Sequence, residues 1–254
     1  MLILLLLSIT ISIISCKKTE KILGSDNSIS DNSNCFITGA DVSYTSGVEE
    51  NGGVYKDENG GVVDPFEFYV NKGASLLRLR IFHTPENLTS VCGQPITSCN
   101  LYRTLNAAQR LVNAGADLMI TLHYGDYFNY PAEQHRPLAW KDLSHEVLLD
   151  SIYNYTYMVL QKLFDQNTIP TIITIGNETN WGFVDAWGEY DDAQDTDGWS
   201  WNNGDLPNQQ IPDHIDADKF NVAFNAVDDF NLTNATSVQK ALFLIEESVE
   251  WNLE

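Results

Sequence analysis

Basic residues are scarce in this 254-residue chain: 14 Lys and Arg stand against 35 Asp and Glu, a formal net charge of −21. That balance repels nucleic acid and anionic membrane surfaces, so neither is expected as a partner. It favours solubility and a neutral or cationic ligand. Cysteines number four, with no Cys-x-x-Cys and no Cys/His cluster, so nothing suggests a structural zinc site. No Gly-x-Gly-x-x-Gly follows the first strand signal, which removes the dinucleotide fingerprint of an open, doubly wound sheet.

The one long apolar run, Leu2 to Ile14, is too short to span a bilayer and has the length of a signal-peptide core. It ends in Ile13-Ile14-Ser15-Cys16, which resembles a bacterial lipobox, with Cys16 as the lipidated residue. No Lys or Arg precedes the run, a departure from the usual leader. The expectation is an exported protein of the cell envelope, lipid-anchored or secreted, touching the membrane only through that anchor. Residues 17–34 are polar, without an apolar period, and read as a flexible tether. Residues 35–254 form the expected folded domain. Export brings oxidising conditions, so a short staple between Cys92 and Cys99 is expected, with Cys35 left over.

From Cys35 onward, strand and helix signals alternate. Strands are expected over 36–43, 76–82, 117–124, 171–178 and 241–245. Helices are expected from Asp64-Pro65-Phe66 to Gly73, from Asn100 to Ala114, from Ser144 to Phe164 and from Asp218 to Phe230. Repeated strand–helix units with buried strands imply an α/β fold with a parallel sheet. Polar residues gather at the ends of the strands: Asp41, Arg80, His123, Asn177 and Glu178. That is the arrangement of a (β/α)8 barrel active site, with the chemistry at the C-terminal ends of the strands.

Glu178 is the candidate proton donor, because Ile172-Ile173-Thr174-Ile175-Gly176-Asn177-Glu178 delivers a carboxyl from an apolar strand. A glycosidic bond breaks when the leaving oxygen gains a proton and the cationic sugar is stabilised. Asn177 can donate to and accept from a sugar hydroxyl. Arg80 can hold a carboxylate, and His123 can bond to substrate or to a carboxylate. Tyr124, Tyr127, Phe128, Trp140 and Trp181 lie in or after strand ends, where aromatic faces suit sugar rings. Trp140 and Trp181 are the candidate substrate-binding rings.

Several long motifs agree in order and spacing with one family. Gly39-Ala40-Asp41-Val42-Ser43, Leu77-Arg78-Leu79-Arg80-Ile81-Phe82, Leu122-His123-Tyr124-Gly125-Asp126-Tyr127-Phe128, Pro137-Leu138-Ala139-Trp140 and Ile175-Gly176-Asn177-Glu178-Thr179-Asn180 resemble glycoside hydrolase family 53. These are the arabinogalactan endo-β-1,4-galactanases. The resemblance implies a retaining (β/α)8 hydrolase that cleaves β-1,4-galactosidic linkages in galactan or arabinogalactan. Glu178 falls on its acid/base position, and Arg80, His123 and Asn177 on active-site positions. The family's nucleophile is a second glutamate at the end of strand seven. Only five strand signals occur here, so the expectation is a C-terminally truncated chain without that nucleophile, itself inactive. At full length it is expected to act as a monomer. The alternatives are an inactive galactan-binding fragment, or another polysaccharidase of the clan such as a β-mannanase or cellulase. No cofactor is expected, and no residue set matches the structural calcium of some family members.

Overall fold

A computed structural model describes residues 36–88, 97, 99–130, 134–180, 182–185 and 213–244. Five strands, β1 (Gly39–Asp41), β2 (Leu76–Ile81), β3 (Asp117–Leu122), β4 (Ile172–Ile175) and β5 (Gln239–Leu242), lie side by side in chain order. Every neighbouring pair is parallel. Strict chain order is the winding of a barrel, whereas a doubly wound sheet reverses direction part-way. The β1–β2 connection carries α1 (Thr45–Glu50) and α2 (Pro65–Asn71). The next three crossovers carry α3 (Leu101–Ala114), α4 (His145–Asp165) and α5 (Asp213–Asn234).

Period-two alternation sorts the strand side chains. Leu77, Leu79, Ile81, Leu118, Ile120, Leu122, Ile173 and Ile175 are each at most 1 % exposed. They pack against Leu111 of α3, Ile152, Val159 and Leu163 of α4, and Val227 and Phe230 of α5 in a single core. Full burial of each such chain stabilises the fold by about 1.5–3 kcal/mol. The opposite row holds Asp41, Arg78, Arg80 and Thr121, with Asp41 in register with Arg78 and Arg80 with Thr121. The sheet therefore has an apolar face under the helices and a polar face towards the barrel interior.

Local chemistry sets the helix ends. Asp64 Oδ1 accepts from the N–H groups of Phe66 and Glu67 at 2.9 and 3.2 Å, and Pro65 occupies the first turn of α2. Asn100 Oδ1 accepts from Arg103 N–H at 2.9 Å and starts α3. Arg110 of α3 reaches Glu49 of α1 and Asp64, the α2 cap, while lying over the Phe66 ring.

The elements depart from the sequence expectation at their edges. The first strand is 39–41 rather than 36–43, with Phe36 and Ile37 exposed. The fifth begins at Gln239 rather than 241, because Gln239 N–H donates to Thr171 O and pairing, not hydropathy, sets its start. The last helix runs over Asp213–Asn234, beyond the apolar stretch that suggested it. Backbone hydrogen bonds continue a helix through polar residues that show no period.

Candidate active site

The end of β4 is a tight, conformationally unusual turn. Gly176 has φ +75°, and a Cβ there would lie 2.3 Å from Thr179 Cγ2 and 3.2 Å from the Phe183 ring. Only glycine fits both the conformation and the space. Two residues later Glu178 itself has φ +53°. A non-glycine residue pays about 1–2 kcal/mol there, so neighbouring groups must hold it.

Arg78 supplies part of that hold. Its Nη2 donates to Asn177 Oδ1 at 2.6 Å and its Nε to Thr121 Oγ1 at 2.8 Å. Burial and the charge of Arg80 push the guanidinium pKa down, while Asp41 and Glu178 act the other way. Arg78 also lies over the Phe243 ring, 4.6 Å from its centroid. Asn177 is fully buried, and its Nδ2 donates to Asn129 O at 2.8 Å. One of its two amide hydrogens is thus used within the protein.

Arg80 is placed differently. Its Nε donates to Asp41 Oδ2 at 2.8 Å, and it stacks over Phe128 at 4.6 Å. Ser43 donates to Asp41 Oδ1 at 2.6 Å, so Asp41 is engaged from two directions. The guanidinium that reaches Asn177 is that of Arg78. Sequence reasoning passed over it, although the alternation in Arg78-Leu79-Arg80 sets both arginines on one face.

His123 is 1 % exposed at the end of β3, between Phe82 and Phe128. Asn129 N–H donates to its Nδ1 at 3.1 Å, which places the proton of the neutral ring on Nε2. Burial, then the charges of Arg80 and Arg78, push its pKa well down, so the ring is neutral. Nε2 has no hydrogen-bond partner among the described residues. Asn129 thus joins His123 to Asn177, through its N–H and its carbonyl respectively. Gln134, also missed by sequence reasoning, bonds to the carbonyls of Asn177 and Glu178. Nothing in the local sequence marks it, since these two carbonyls lie more than forty residues away.

Other expected residues fall elsewhere. Trp140 is 7 % exposed and packs against His83 and Tyr155, so its ring serves the core rather than an open sugar platform. Asp126 is fully buried and accepts from Thr84 N–H, Thr84 Oγ1 and Leu138 N–H, tying two strand-end loops together. Cys99 is a free thiol, 3 % exposed, with Sγ 3.8 Å from Ser43 O. Its expected partner, Cys92, lies outside the described residues, so the staple is not among the contacts described. Trp181 and Cys16 also lie outside the described residues. Among the described residues no group of three or more His, Cys, Asp or Glu could hold a metal ion.

The model of glycosyl hydrolase family 53 matches residues 37–231, most of the chain. The chain belongs to this family. An arabinogalactan endo-beta-1,4-galactanase of Cellvibrio japonicus is 35 % identical over 146 residues, 57 % of this chain and 36 % of the relative. An endo-beta-1,4-galactanase of Bacillus subtilis is 31 % identical over 149 residues, 59 % of this chain and 34 % of the relative. Among solved structures, the family 53 catalytic domain of Ignisphaera aggregans superposes with a TM-score of 0.68 at 27 % identity, covering 86 % of this chain and 54 % of that one. The chain thus spans about a third of these curated relatives and half of the solved domain. In family 53 terms, β1–β5 are the first five strands of a (β/α)8 barrel, and β4 carries Asn177 and Glu178 at its C-terminal end.

Proposed function

We propose that this chain carries the proton-donating half of a galactan-hydrolysing site, with Glu178 as acid/base of a retaining mechanism. The observation that carries this is the turn after β4, where Glu178 is held in a left-handed conformation beside the Arg78–Asn177 pair. The curated relatives named as galactanases support galactan as substrate. Glu178 gives its proton to the departing glycosidic oxygen, while a second carboxylate attacks the anomeric carbon from the other side. Later, Glu178 takes a proton from the water that hydrolyses the intermediate. The second amide hydrogen of Asn177 and the Nε2–H of His123, which has no hydrogen-bond partner among the described residues, suit sugar hydroxyls that bond more strongly as charge develops.

The attacking carboxylate must lie about 5–5.5 Å from Glu178. Asp41 and Asp126 are both committed to protein donors, which argues against either. We also infer that the protein is exported and anchored through Cys16.

The experiment is reducing-end release from β-1,4-galactan by the protein purified from its native host. Glu178→Gln should lower it by about 10²–10⁴-fold, the usual share of a general acid. Unchanged turnover would remove Glu178 from the mechanism. Cleavage of mannan or cellulose in place of galactan would move the protein to another specificity.

A further inference from the structure

Gln134 lies between β3 and α4, and its side chain is fully buried. Its backbone is fixed first. Asp185 N–H donates to Gln134 O, Arg136 N–H donates to Asp185 O, and His135 and Asp185 form a short parallel bridge. From there its amide reaches the β4 turn. Nε2 lies 3.0 Å from Tyr130 O, 2.9 Å from Asn177 O and 3.1 Å from Glu178 O. Three carbonyl oxygens around one atom identify that atom as the nitrogen. Its two hydrogens are shared among three acceptors.

The carbonyls of Asn177 and Glu178 belong to the two peptide planes flanking the Glu178 Cα. In an extended residue successive carbonyls point to opposite sides; in a helical-type conformation they point the same way. One donor group can take both only when residue 178 is helical-type. Gln134 thus excludes the extended alternative that a strand would otherwise continue into, and Glu178 sits at φ +53°. We propose that Gln134 is a positioning residue for the proton donor: it holds both peptide planes of Glu178 and so aims its carboxyl. This rests on the acid/base reading of Glu178. A misplacement of about 1 Å at such a group can cost on the order of 10²-fold in rate.

The test compares Gln134→Met, which keeps the shape and loses the donor, with wild type in the native protein. Galactan has a poor leaving group and needs the proton; a 2,4-dinitrophenyl β-galactobioside does not. The expected result is a fall of about 10–100-fold in kcat/KM on galactan, with KM little changed and kcat/KM on the dinitrophenyl substrate, which reports the first step alone, nearly unaffected. An equal fall on both substrates, or none on either, overturns the proposal. Amide exchange over residues 176–180 is the second readout, and it needs no activity. It should accelerate at least tenfold in the variant, as expected for a locally loosened turn, with β3 and α4 unchanged. Unaltered exchange overturns the positioning role. If wild-type protein cuts no β-galactoside, the functional reading falls and the exchange result alone decides the role of Gln134. Should Gln134→Met fail to fold, the isosteric Gln134→Glu carries the same two readouts. Loss of fold in both variants would make Gln134 a folding residue and end the proposal.

Discussion

Replacing Gly176 with alanine tests the turn that carries Glu178. Two separable costs arise from the structure. The backbone sits at φ +75°, where an L residue is disfavoured by about 1–2 kcal/mol. The new methyl would also stand 2.3 Å from Thr179 Cγ2 and 3.2 Å from Phe183, and overpacking of this kind costs about 1–3 kcal/mol. The sum, about 2–5 kcal/mol, corresponds to a fall of roughly 5–15 °C in Tm for a chain of this size. Thermal and urea melts of Gly176→Ala measure it. Adding Thr179→Ser removes Cγ2 and should restore the larger part of the steric share, leaving the Phe183 contact and the backbone share of about 1–2 kcal/mol in place. Thr179→Ser alone is the control. A Tm for Gly176→Ala within about 1 °C of wild type would refute the reasoning. So would complete recovery in the double variant, since the backbone share would then be nil.

Three further outcomes are expected. Burial pushes the His83 pKa down to about 4, partly offset by Asp126. Between that value and the unfolded one near 6.5 the unfolded chain binds the extra proton. Stability is therefore full above about pH 6.5 and falls as pH drops through 4, by about 2 kcal/mol between pH 8 and 5. Urea melts should show this slope flattened in His83→Gln; an equal slope would exclude His83 as its source. Burial pushes the Cys99 thiol up to about 12, so iodoacetamide at pH 8 should label it slowly in the native state and rapidly in urea. Absence of a Cys99 thiol in urea would instead point to a disulfide. Tyr124→Phe removes a fully buried hydroxyl 2.6 Å from Thr156 Oγ1, and should lower the urea midpoint by the equivalent of about 1 kcal/mol with an unchanged m-value. A shift below a third of that would show that Thr156, which still donates to Ile152 O, needs no second partner.

The strands and helices were legible because their signals are local. Asp64-Pro65 marks a helix start through its own backbone bonds, and the β-branched run before Gly176 marks a buried strand. Glu178 at a strand end was legible for the same reason. Trp140 was not: an aromatic ring in a loop looks alike in sequence whether it faces solvent or, as here, His83 and Tyr155.

The sequence by itself determined the parallel strand–helix alternation, the polar strand ends, and the carboxyl that β4 presents. Each of these follows from periodicity, capping and motif spacing, which act over a few residues. Only the tertiary structure decided that Arg78 rather than Arg80 bonds to Asn177, that Asn129 links His123 to Asn177, and that Gln134 holds both carbonyls flanking Glu178. Those bonds join residues 43 to 99 positions apart in the chain, apart from the Asn129–His123 contact. They exist because parallel strands bring their C-terminal ends to one rim, where side chains from separate loops meet.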